Sequence, residues 1–131
     1  MAEKKIVRTG TKWEPLVGYC RAVRVGPHIA VSGCAPVGAD GELVGPDDPY
    51  LQAKRCIEII AAALAEADAG LEHVVRTRMF VTDITRWADV ARAHQEAFAD
   101  ITPTTSMVEV SRLIGEGMLV EIEADAIVGE H

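Results

Sequence analysis

The sequence predicts an α+β fold, a mainly antiparallel six-stranded sheet with two helices packed on one face. Three observations carry this. Two segments space apolar residues as an amphipathic helix does, and six short segments are β-rich. The last of these alternates between apolar and mostly acidic residues. A chain of 131 residues, 49% apolar and 25% charged, suits one globular domain spanning 1–131.

A short strand around Ile6-Val7-Arg8 comes first. Arg21 to Val25 and His28 to Ser32 flank Gly26-Pro27 and read as a hairpin. Val37 to Pro49 is a polar, Gly/Pro-rich loop with a turn at Ala39-Asp40-Gly41-Glu42. Asp47-Asp48-Pro49 then supplies an N-cap and a first-turn proline. Ala53, Cys56, Ile57, Ile60, Ala63, Leu64 and Ala67 follow as one apolar stripe, and Gly70 is the expected C-terminal cap. Val74 to Thr82 is a strand. Asp83 or Thr85 caps a second helix, striped by Trp87, Val90, Ala91, His94 and Phe98 and broken at Ile101-Thr102-Pro103. Ser106 to Leu113 and Met118 to Val128 are the last strands. In the final one Val120, Ile122, Ala124, Ala126 and Val128 share a face, and Glu121, Glu123, Asp125 and Ile127 share the other. The order is three strands, helix, strand, helix, two strands. The face without helices is partly apolar, and a subunit interface is a natural cover for it.

The net charge of −7 argues against a nucleic-acid partner bound through a broad basic surface. No run approaches the ~18 apolar residues of a membrane span. The N-terminal Met1-Ala2-Glu3-Lys4-Lys5 lacks a signal peptide's apolar stretch, so a cytoplasmic location is expected. Cys20, Cys34 and Cys56 are odd in number and widely spaced, and read as free thiols. With His28, His73, His94 and His131 they form no zinc spacing, so no metal is expected.

Five segments in order and spacing resemble the Rid family, the reactive-intermediate deaminases also called YjgF or perchloric-acid-soluble proteins. They are Gly18-Tyr19, Ile29 to Gly33, Val74 to Asp83, Ser106 to Leu113 and Val120 to Ala124. The resemblance covers nearly all of the chain from about Gly18. It implies a chorismate-mutase-like fold and a barrel-like homotrimer with a cleft between each pair of neighbours. It also implies hydrolysis of an enamine or imine to a 2-keto acid and ammonia, without a cofactor.

Such hydrolysis needs a water delivered to the C=N carbon, a protonated nitrogen and a substrate carboxylate held still. Deaminating members hold that carboxylate with an arginine, whose fork matches it bidentately. The matching position here is Thr105. Losing one partner of a buried charge pair costs about 2–5 kcal/mol, so the resemblance implies an altered substrate. Glu121 matches the glutamate that orients water. Its ordinary role would be an ion pair across the sheet with Arg76 or Arg78, as expected for Glu123 and Asp125.

Tyr19, Gly33, Trp87, Ser106 and Met107 match cleft positions, Met107 where many members carry cysteine. Tyr19 is otherwise a half-buried aromatic, Gly33 a strand-end kink and Trp87 the first knob of a core stripe. Ala91 stands where deaminating members often carry a polar residue. Cys34 follows Gly33 and is a further candidate, as is Arg21, which shares an extended face with Tyr19 and could replace the missing cation. His28 and His94 are the candidate bases, with His94 more simply a core or interface histidine. Arg112 matches the family in a structural role. Two other functions stay open, a non-catalytic metabolite-binding trimer and an endoribonuclease.

Overall fold

The computed structural model describes residues 3–129, so His131 lies outside them. One six-stranded sheet runs in the order β1-β2-β3-β6-β4-β5. Its strands are β1 (Lys4–Val7), β2 (Ala22–Val25), β3 (His28–Cys34), β4 (Val74–Val81), β5 (Thr104–Glu109) and β6 (Val120–Ile127). All neighbouring pairs are antiparallel except β4 and β5, which run parallel. The helix between them is the crossover that parallel neighbours require.

That helix is α3 (Trp87–Phe98), and α2 (Pro49–Glu66) lies beside it. Both bury one stripe on the same sheet face. Val120, Ile122, Ala124 and Ala126 of β6 meet Ala53, Cys56, Ile60 and Leu64 of α2 in the core. Fully burying a side chain such as Val120 or Ile122 contributes roughly 1.5–3 kcal/mol, so the alternation in β6 fixes which of its faces meets the helices.

The hairpin forms as expected, with Gly26 at φ 59° in its turn. The loop turn also forms, with Gly41 at φ 85° and Asp40 Oδ1 accepting from the Glu42 N–H at 2.9 Å. Asp48 caps α2 through Oδ1 and the Leu51 N–H at 3.0 Å, with Pro49 as the first helical residue.

Four expectations are corrected. Among the described residues there are three α-helices: α1 (Trp13–Val17) is added, closed by Gly18 at φ 87°. It has no buried apolar stripe. Leu16 and Val17 are exposed, and Glu14 anchors it by accepting from the N–H and hydroxyl groups of Thr9 and Thr11. Second, Gly70 does not end α2. Asp68 takes the left-handed backbone at φ 61°, and Arg24 of β2 donates to the Ala67 carbonyl at 2.7 Å. Third, Asp83 caps a 3₁₀ turn, Ile84–Arg86, that leads into α3. Fourth, β5 begins two residues early and stops at Glu109, because its parallel partner β4 ends at Val81. Arg112 lies beyond it, exposed.

Gln52 of α2 was not anticipated. It is fully buried. Its Nε2 donates to the carbonyls of Gly45 and Gly117, each at 3.1 Å, and its Oε1 accepts from the Leu119 N–H at 2.7 Å. It ties the loop before α2 to the loop before β6. Among the described residues no helix is long and apolar enough to cross a membrane, and no three His, Cys, Asp or Glu side chains group as metal ligands.

Candidate functional site

β3 carries a bulge between Val31 and Cys34, where it advances one residue more than its partner β6. A bulge bends its strand and re-aims neighbouring groups. Here it turns the Gly33 carbonyl toward Arg21, whose Nη1 donates to it at 2.8 Å. The same nitrogen lies 3.5 Å from the Ser32 carbonyl and from Cys34 Sγ. Arg21 is 6% exposed, and its guanidinium carbon sits 5.7 Å from the centre of the Tyr19 ring.

Glu121 of β6 folds over the bulge. A Cβ on Gly33 would meet Glu121 Oε2 and lie 2.9 Å from its Cδ, so only glycine leaves the carboxylate this seat. Further along β6, Glu123 and Asp125 both bind Arg78 Nη1 at 3.2 Å, the cross-sheet pairing expected of them. That pairing leaves Glu121 out. Among the described residues its carboxylate accepts no hydrogen bond and forms no ion pair. Burial pushes its pKa above the usual carboxylate range, the Glu123 charge adds to this, and Arg21 opposes it.

A Gly33→Ala protein is expected to fold, because the added methyl meets the far end of a flexible side chain. Glu121 is then displaced toward solvent, and its titration, followed by NMR, drops toward the ordinary range. An unmoved titration would show that the seat does not depend on Gly33.

Cys34 is fully buried in the core. Burial pushes its thiol up to about 11, with Arg21 working the other way, so it stays protonated and is a poor nucleophile.

The remaining candidates lie elsewhere. Thr105, Ser106 and Met107 are on β5, the edge strand. Thr105 turns toward the helix layer, where its Oγ1 accepts from Thr77 Oγ1 at 2.7 Å. Thr77 is fully buried in β4, and its Oγ1 is 2.8 Å from His94 Nε2 of α3. Ser106 is exposed, while Met107 packs against the core. Trp87 is 56% exposed and is no core knob; the stripe that α3 buries is Val90, Ala93 and Phe98. Its position at the start of α3, one turn before the core begins, leaves its ring on the surface. β4 stands between β5 and β6, and Thr105 and Glu121 use opposite faces of the sheet. One chain therefore does not bring them together. Thr77 was missed, although a threonine in the buried row of β4, among Val74, Met79 and Val81, was the available signal.

A small α+β protein with helices on one sheet face, and an unpaired, half-buried carboxylate seated on a strand bulge on the other, is the class this geometry defines. The chain belongs to the Rid, or YjgF/YER057c/UK114, family: the family described as Endoribonuclease L-PSP matches residues 9–128. Rv2704 of Mycobacterium tuberculosis, a solved member of that family, is 47% identical with a TM-score of 0.88, over 96% of this chain and 100% of that one. A RutC family protein of Pyrococcus abyssi is 36% identical over 94% of this chain and 96% of its own. TdcF of Escherichia coli, solved with bound serine, is 25% identical with a TM-score of 0.81, over 98% of both chains.

Proposed function

We propose that this chain hydrolyses an enamine, imine or related C–N bond in clefts between the copies of a homotrimer, without a cofactor. The observation that carries the reading is Glu121, a carboxylate outside its neighbours' ion pairs and seated against Gly33, whose carbonyl Arg21 holds. A base with a raised pKa is better matched to proton transfer near neutral pH. Glu121 orients the attacking water, and Tyr19 and the Gly33 backbone border the substrate. Arg21 acts as a positioning residue, because its cation already holds the Gly33 carbonyl.

The second half of the cleft comes from a neighbouring copy, with Thr105, Ser106, Met107 and Trp87 facing the first half across the interface. Two features support this. The candidates divide between two sides of one chain, and the helix-free face carries an apolar groove lined by Val23, Val25, Val75 and Ile127. The serine bound to TdcF supports a small amino-acid-like ligand. Thr105, in place of the arginine of deaminating members, supports a changed substrate.

One observation favours a second reading, a metabolite-binding trimer: Thr105 puts no cation at the position where deaminating members carry an arginine. The test generates imines in situ with an amino-acid oxidase. Wild type is expected to accelerate their hydrolysis, and Thr105→Arg to raise the rate for imino acids by 10-fold or more, roughly the low end of what one buried charge pair contributes. A wild type and a Thr105→Arg protein that are both inert would sink the enzyme reading in favour of binding.

A further inference from the structure

The structure places His94 Nε2, Thr77 Oγ1 and Thr105 Oγ1 in a line, with gaps of 2.8 and 2.7 Å, running from the helix layer to the exposed edge strand. Thr77 is fully buried and among the described residues its hydroxyl meets only these two partners, so its one proton lies in the line, which then has two consistent directions. If Nε2 bears a proton, His94 donates to Thr77, Thr77 donates to Thr105, and the Thr105 proton points outward. If Nε2 is bare, both hydroxyl protons point inward and Thr105 offers lone pairs alone.

We propose that the line runs outward, so that His94 and Thr77 are positioning residues that make Thr105 a hydrogen-bond donor to a carboxylate or carbonyl oxygen of the ligand. This rests on the reading above, in which the β5 edge borders the cleft.

Two observations confine the protons to the line, and a third supports its direction. Thr77 is fully buried and cannot turn to water instead. His94 is half-buried against Phe98, with ring centres 4.6 Å apart, and burial holds it neutral, so one nitrogen alone carries a proton. Among the described residues, Nδ1 meets no acceptor that would draw the proton away from Nε2. A carboxylate offers only acceptors, so an outward hydroxyl fits it and an inward one does not. The Thr105 position thus keeps a donor without a cation, which suits an oxygen that is weakly charged or already shared with water.

The test joins two measurements on the full chain. The ring nitrogens of His94 are read by ¹⁵N NMR, and pyruvate binding is read by calorimetry for wild type, Thr77→Val and Thr77→Ser. A protonated Nε2 is expected, with affinity lowered roughly 3–10-fold in Thr77→Val, as for one hydrogen bond, and restored in Thr77→Ser. Should Thr77→Val fail to fold, His94→Leu breaks the same line from its far end and His94→Gln restores a donor. A bare Nε2, or pyruvate affinity indifferent to both broken lines, overturns the relay alone. A wild type that binds neither pyruvate nor any other small 2-keto acid overturns the cleft reading, and the relay with it.

Discussion

Replacing Glu121 by glutamine is expected to slow imine hydrolysis by about 10²–10⁴-fold, the range of a positioned general base. The pH dependence should carry the same signature. The base works only when ionised, so kcat/KM falls as pH drops through a pKa raised above the usual carboxylate range. That acid limb disappears in the variant. A second readout separates chemistry from misfolding. The folded state binds the Glu121 proton more tightly than the unfolded chain does. The wild-type carboxyl is thus best tolerated at low pH, and stability is lost as pH rises from the unfolded pKa through the raised folded one. Glu121→Gln removes that loss. Its melting temperature should exceed wild type near pH 7 and match it near pH 4. A variant that is slow but no more stable at neutral pH would mean that the carboxylate has a partner.

The candidates for this site come from resemblance more than from pattern. Strict alternation in β6 put Glu121 off the core, and the acids beside it were correctly expected to meet an arginine. What local sequence could not give was the bulge. One extra residue near Gly33 decides which carbonyl meets Arg21 and where Glu121 sits, and no periodicity announces it. The relay was hidden for a similar reason. Thr77, His94 and Thr105 belong to three elements, and only the parallel register of β4 and β5 sets Thr77 beside Thr105. In the fold, α2 was readable because Asp48 and Pro49 mark its start and a single stripe faces the core. α1 was not, because Glu14 and hydrogen bonds hold it where a buried apolar face would otherwise be read. Gly70 misled because Asp68 can adopt the left-handed conformation when Arg24 satisfies the carbonyl beside it.

Gln52→Ala is expected to be the most damaging substitution away from the site. It removes one acceptor and one two-fold donor at once, leaving the part-buried Gly45 and Gly117 carbonyls and the Leu119 N–H without this partner, with a cavity where the buried amide was. An orphaned backbone group costs about 1–3 kcal/mol when buried, and water reaching Gly117 together with partial relaxation holds the total, cavity included, to about 3–5 kcal/mol. For a domain of this size that is a fall in melting temperature on the order of 10–20 °C. Gln52→Glu should recover only part of it, since a carboxylate accepts from Leu119 but donates to neither carbonyl. A change of only a few degrees in Gln52→Ala would show that water replaces the amide.

The strand order has a consequence for how the chain is made. β6 is the last strand in sequence but lies in the middle of the sheet, between β3 and β4. Until it emerges from the ribosome, the edges of β3 and β4 that it pairs in the finished sheet have no partner. The sheet therefore closes only when β6 inserts, and any nascent chain halted before Val120 leaves both edges without it. Those edges are templates for stray pairing, so the interval before β6 arrives is when this protein most needs shielding from its own copies.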